Sequence, residues 1–134
     1  MNNVTILILA AGKSSRFKSS KSKIFHEIAG LSIIEHIYSV ASKISSNIIF
    51  VCNKDNIIDL RKLFPKSKFS IQKKQKGTAD AVMSAKKLIK KNQNVLILFG
   101  DTPLLTFLTL RKFVKKFFLK KSFGSMLAFK TQDP

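Results

Sequence analysis

At 134 residues the chain has the length of one domain with a single sizeable core, and its 45% hydrophobic and 10% aromatic content excludes a disordered polymer. The lone Cys52 excludes an internal disulfide, and the apolar run from Val4 to Ala11 is too short to cross a bilayer and follows no basic segment, so a reducing, cytoplasmic address is expected. The net charge of +18 is nearly all lysine, with Arg16, Arg61 and Arg111 as the arginines, and it reads either as solvated lysine faces or as a surface for a polyanion such as RNA.

Val4-Thr-Ile-Leu-Ile-Leu-Ala10 is an unbroken apolar run, the pattern of a strand buried on both faces. Ile34, Ile37, Ala41 and Ile44 recur at helical spacing and predict a helix over Leu31 to Ile44. Asn47 to Cys52 reads as a second buried strand. Ile57, Leu60 and Phe64 predict a short helix that stops before Pro65. Phe69 to Gln72 predicts a short strand. Thr78 is the expected cap of a helix whose apolar side is Ala81, Val82, Ala85 and Ile89. Val95 to Phe99 predicts a further strand, ending at Gly100-Asp101. Thr106 starts a helix with Leu110, Phe113, Val114, Phe117 and Phe118 inward, and a last strand is expected over Ser125 to Lys130.

Strands alternating with helices of this length predict right-handed βαβ units, hence an α/β fold with a mostly parallel sheet and helices on both faces. Ligands of such sheets bind at the carboxyl ends of the strands. The loops 12–23 and 100–104 both leave from that edge, which predicts one shared site. Composition shows no repeat, linker or domain boundary.

The loop after the first strand is the richest in chemistry. Gly12-Lys13-Ser14 suggests a Walker A loop, but the glycine required five positions before Gly12 is Leu7, and no further glycines complete a dinucleotide fingerprint. What remains is a loop of Gly12, serine hydroxyls, Lys13, Arg16, Lys18, Lys21 and Lys23. That set can cradle a triphosphate or be no more than a basic surface loop. Asp101, at a strand end, can hold a Mg²⁺ ion against phosphate oxygens or simply serve the turn at Thr102-Pro103. Gln72 and Gln75 are amides that could read a base edge, with Gly77 allowing close approach, or they could be surface polar residues. His26 and His36 read as a loop residue and a helix-face residue.

In chain order, L-A-A-G-K-S-S-R, Q-K-K-Q-K-G-T-A-D-A-V and L-F-G-D-T-P-L resemble the sugar-phosphate nucleotidyltransferases. Within them the chain is most similar to the uridyltransferase domain of the bacterial N-acetylglucosamine-1-phosphate uridyltransferase type. G-T-A-D-A-V also looks like the adenylyltransferases that activate glucose-1-phosphate. The resemblance covers essentially the whole chain, through Phe129 to Pro134. It implies a Rossmann-like three-layer sandwich and transfer of UMP from UTP to a sugar-1-phosphate, with Mg²⁺ as cofactor, on the way to UDP-N-acetylglucosamine and peptidoglycan precursors.

By the same resemblance, Leu9, Ala10, Ala11, Gly12, Lys13, Gln72, Gln75, Gly77 and Thr78 match nucleotide-binding positions. Arg16 and Lys23 match the catalytic cations, and Asp101 the magnesium aspartate. Three positions depart from the pattern: Ser14 replaces a second glycine, Ser22 a proline, and Phe99 an aromatic hydroxyl. The resemblance further implies that residues 1–134 are the nucleotide-binding half, without the acceptor-binding segment and β-helix acetyltransferase domain of the family. The expectation is therefore either a truncated, inactive nucleotidyltransferase domain or a non-catalytic nucleotide- or RNA-binding Rossmann-like remnant.

Overall fold

The structure is a computed structural model that describes residues 3–12 and 22–128. Strand β1 (Val4–Leu9) is followed by a 3-10 turn at Lys23–Phe25 and a two-residue hairpin of β2 (Glu27–Ile28) and β3 (Leu31–Ser32). Then come α1 (Ile33–Ser42), β4 (Ile48–Cys52), α2 (Ile57–Leu63), β5 (Lys68–Ile71), α3 (Thr78–Ser84), β6 (Asn94–Phe99) and α4 (Phe107–Leu119). The four long strands form one parallel sheet in the order β5-β4-β1-β6. β1 pairs with β4 from Ile6↔Ile48 to Leu9↔Val51, and with β6 from Val4↔Asn94 to Leu9↔Phe99. This register brings the carboxyl ends of β1 and β6 level, so the loops after Leu9 and Phe99 emerge side by side.

The continuous apolar runs follow from burial on both faces. Val4, Ile6, Ile8 and Ala10 face one core with Leu96 and Leu98, against Ile34, Ile37 and Ala41 of α1, Leu60 of α2, and Leu110 and Val114 of α4. Leu7 and Ala11 face the other, with Ile49, Val51 and Ala81 and Ala85 at the α3 end. The result is the expected α/β three-layer sandwich. Phe50 is fully buried and stacks on Phe64 and Phe69 at ring separations of 4.8 and 5.7 Å, which fixes α2 and β5 against β4. Among the described residues no helix is long and apolar enough to cross a membrane.

Four predicted elements differ. The helix expected from Leu31 begins at Ile33, because Leu31 and Ser32 pair back on Ile28 and Glu27 across a turn with Ala29 at φ +50° and Gly30 at φ +81°. Two positive φ values in a two-residue loop are the mirror-image turn that matches strand twist. Glu35 then closes a capping box on Ser32, accepting from its backbone N–H at 2.8 Å and from its hydroxyl. The third predicted helix ends at Ser84 and tightens into a 3-10 turn at Lys86–Leu88, and its N-cap is Gly77 rather than Thr78. Phe118, expected inward, is exposed, since Leu110 and Val114 already fill the face of α4 that meets the sheet.

The strand expected over Ser125 to Lys130 does not form across residues 125–128, where Met126 and Leu127 are exposed, and residues 129–130 lie outside the described range. A strand exists only when its backbone groups find a ladder, and no described neighbour offers one there.

Candidate active site

The carboxyl end of β1 is held open by asparagines. Asn56, 2% exposed, donates from Nδ2 to the Ala10 carbonyl at 2.8 Å, while its Oδ1 accepts from the Asn53 backbone N–H at 3.1 Å. Asn53 in turn donates to the Ala11 carbonyl at 3.3 Å and accepts from the backbone N–H groups of Asp55 and Asn56. The loop from Ala10 to Gly12 thus leaves the sheet with its buried carbonyls paired by side chains of the neighbouring β4–α2 connection. At Gly12 a Cβ would meet no described residue within 4 Å.

Beside this loop runs the segment after β5. Gln75 donates to the Ala11 carbonyl at 2.7 Å, tying the two segments together. Gln72 continues the sheet by donating its backbone N–H to the Cys52 carbonyl at 2.8 Å. Its side-chain Nε2 lies 2.7 Å from Asp80 Oδ2 and 3.3 Å from the Gly77 carbonyl. Gly77 has φ +104° and ψ −174°, a backbone region open essentially to glycine alone, and from it the chain turns into α3. The need for glycine at 77 is therefore conformational, since a Cβ there would meet nothing within 4 Å.

The third element arrives from β6. Gly100 packs so tightly that a Cβ would stand 2.9 Å from the Leu9 carbonyl oxygen and 3.0 Å from Ile34 Cδ1. Its N–H donates to that same Leu9 oxygen at 2.9 Å. This close approach places Asp101 beside the end of β1. Lys23 Nζ lies 3.5 Å from Asp101 Oδ2, with both side chains about half exposed. The two loops that the topology sends to one edge therefore meet through an ion pair of opposite charges.

These elements enclose a cleft of about 660 Å³. Leu9, Ala10, Ala11 and Gly12 form its floor and back, Gln72, Gln75, Gly77 and Thr78 one wall, and Lys23 and Asp101 the facing wall. Lys13 and Arg16 lie outside the described residues, as do Ser14, Lys18 and Lys21. Ile24, Ala81 and Phe99 line the cleft as well and were not foreseen as binding residues. Asn53, Asn56 and Asp80, which hold the lining in place, were also missed. The signal that could have found the first two is an N-x-x-N spacing directly after a buried strand. A smaller cleft of about 330 Å³, lined by Ser45, Asn47 and Gln93 among others, lies at the opposite end of the sheet and holds none of the residues singled out in the sequence.

The arrangement suits an anionic ligand with a planar head. Lys23 in the lining supplies positive charge to it, and the exposed Lys73, Lys74 and Lys76 follow Gln72 along the chain. Asp101 is the one carboxylate lining the cleft among the described residues, which show no cluster of three or more metal-ligating side chains. That donor set fits Mg²⁺, which keeps much of its water and is commonly bound through one or two carboxylates plus substrate phosphates.

Known proteins share this plan. A family model described as MobA-like NTP transferase domain matches residues 6–131. The bifunctional protein GlmU of Streptococcus uberis is 36% identical across 100% of this chain, which covers 30% of that protein. Its counterpart from Buchnera aphidicola subsp. Schizaphis graminum is 32% identical across 98% of the chain and 28% of that protein. The chain thus spans under a third of the length of these curated relatives. A solved structure of 4-diphosphocytidyl-2C-methyl-D-erythritol synthase from Anaerococcus prevotii shares the fold, with a TM-score of 0.70 at 19% identity over 90% of this chain and 52% of that one.

Proposed function

The chain belongs to the MobA-like NTP transferase family, and from that premise we propose that residues 1–134 are the nucleotide-binding half of a uridylyltransferase. Its reaction moves UMP from UTP to N-acetylglucosamine-1-phosphate. The observation that carries this reading is the single cleft in which the end of β1, the Gln72–Thr78 wall and the Lys23–Asp101 pair converge.

In this reading the base lies against Gln72 and Gln75, and the triphosphate runs past Gly12 toward Lys23, with Arg16 and Lys13 on the loop that follows. Gly12 lets phosphate oxygens approach the backbone, where any side chain would stand in the way. Asp101 would hold Mg²⁺, which when bound supplies charge neutralisation to the phosphates. Lys23, 3.5 Å from Asp101 Oδ2, would offer its ammonium to the phosphate oxygens beside the metal position.

A phosphate oxygen of the sugar phosphate attacks the α-phosphorus, forming the new P–O bond as the bond to the bridging oxygen of pyrophosphate breaks. The nucleophile is already ionised at neutral pH, so no general base is needed. The chain's part is positioning and electrostatic stabilisation. The similarity to the GlmU proteins across nearly the whole chain supports the uridyl branch.

Calorimetric titration with UTP, ATP, CTP and GTP, with and without Mg²⁺, tests the reading. UTP should bind selectively and only with Mg²⁺, and Asp101→Asn should weaken that Mg²⁺-dependent binding. Absence of binding by any nucleotide overturns the proposal.

A further inference from the structure

We infer that Asp80 sets base selectivity at this site by pinning the Gln72 amide so that its carbonyl oxygen faces the base. The inference rests on the reading above that Gln72 borders the base of a nucleotide.

Gln72 lines the cleft yet is only 7% exposed, so its side chain is held by protein on most sides. Its amide has two chemically different ends, and which end faces inward decides what it can recognise. Nε2 stands 2.7 Å from Asp80 Oδ2 and 3.3 Å from the Gly77 carbonyl oxygen. A carboxylate and a backbone carbonyl are acceptors only, so the end of the amide that meets them must be the NH₂ group. Rotating the amide by half a turn would set two acceptor oxygens 2.7 Å apart, beside a negative charge. The chemistry of the partners therefore fixes the orientation.

Both amide hydrogens are spent inside the protein, and the polar atom left for a ligand is the carbonyl oxygen, an acceptor. A uracil offers a ring N3–H to such an oxygen. Cytosine carries an unprotonated N3 at the same ring position and meets the oxygen with a second acceptor. Asp80 reaches Gln72 from the first turn of α3, where a carboxylate is also favoured by the free N–H groups of the helix start. Asp80 is thus a positioning residue: it acts through Gln72 and need not touch the nucleotide.

The test compares affinities of the wild-type chain and Asp80→Asn for UTP, CTP and 3-methyluridine triphosphate, measured calorimetrically with Mg²⁺. The wild type should prefer UTP to each of the other two by about tenfold or more. Asparagine is nearly isosteric but can present either its carbonyl or its NH₂, so it no longer dictates the Gln72 orientation. In the variant the UTP-to-CTP preference should fall to within about threefold, with CTP bound as well as or better than before.

A purely structural role for Asp80 would weaken all three ligands alike and leave the ratios unchanged. That result, or equal wild-type affinity for UTP and CTP, overturns the inference while leaving the nucleotide site standing. Failure of the wild type to bind any nucleotide removes both.

Discussion

Replacing Gly100 by alanine tests how the site is built. The added Cβ would stand 2.9 Å from the Leu9 carbonyl oxygen and 3.0 Å from Ile34 Cδ1. The methyl end of Ile34 can rotate away, but the Leu9 oxygen is backbone at the end of an inner strand and accepts the Gly100 N–H at 2.9 Å. Relief therefore requires β1 and the end of β6 to separate by a few tenths of an ångström, stretching the last hydrogen bond between them. Overpacking of this kind costs about 1–3 kcal/mol, and for a chain of this size that lowers Tm by roughly 3–10 °C. Urea and thermal unfolding of Gly100→Ala beside Gly124→Ala give the comparison, since a Cβ at 124 meets nothing within 4 Å. The control should stay within about 0.5 kcal/mol of the wild type. Because Asp101 follows directly, UTP affinity in Mg²⁺ should fall in Gly100→Ala as well. Wild-type stability in Gly100→Ala would refute the close approach on which the placement of Asp101 depends.

Gly12→Ala should behave in the opposite way, with stability close to wild type but Mg²⁺-dependent UTP binding weakened at least about tenfold, because Gly12 lines the cleft and its Cβ would meet no described residue within 4 Å. Unchanged affinity would mean that phosphate does not approach the backbone there. Burial pushes the Cys52 thiol up to about 11, against the opposing pull of Arg61. At pH 8 only about one thiol in a thousand is then ionised, and a disulfide reagent should label the folded chain no faster than it unfolds; rapid labelling of native protein counts against the burial. Hydrogen bonds from the Ser32 side chain and backbone hold Glu35 below its usual value. A depressed folded value contributes stability that is present above the unfolded value and is lost as pH falls through the folded one. Between roughly pH 5 and 3, wild-type stability should therefore drop more steeply than that of Ser32→Ala, and parallel pH profiles would contradict the capping box.

Much of this molecule could be read without coordinates. Val4 to Ala10 is apolar at every position but one, and only a strand covered on both faces accounts for that, so β1 and the parallel sheet followed from composition along the chain. Ile34, Ile37 and Ala41 at helical spacing marked the buried face of α1. The two loops were expected at one edge because parallel strands send all their carboxyl ends the same way. The hairpin before α1 was hidden, since Leu31 and Ile33 also suit a helix and a two-residue strand carries no period. The strand expected at 125–130 shows the opposite error: an apolar segment with no described neighbour to complete its ladder.

For the site, the kinds of residue were legible and their couplings were not. Gly12, Gln72, Gln75, Gly77, Thr78 and Asp101 could be singled out by residue type, and it was the resemblance of the three motifs in their order that assigned them to one nucleotide site. Local pattern determined the strands, the helices and which loops would meet, because hydrophobic period and chain direction are properties of neighbouring residues. Tertiary structure alone decided that Asn56 would hold the Ala10 carbonyl, that Asp80 would fix the Gln72 amide, and that Lys23 would face Asp101. Those are contacts between side chains or backbone groups distant along the chain or lying across a turn. A hydrogen bond has no sequence signature until the fold has set both partners within about 3 Å of each other.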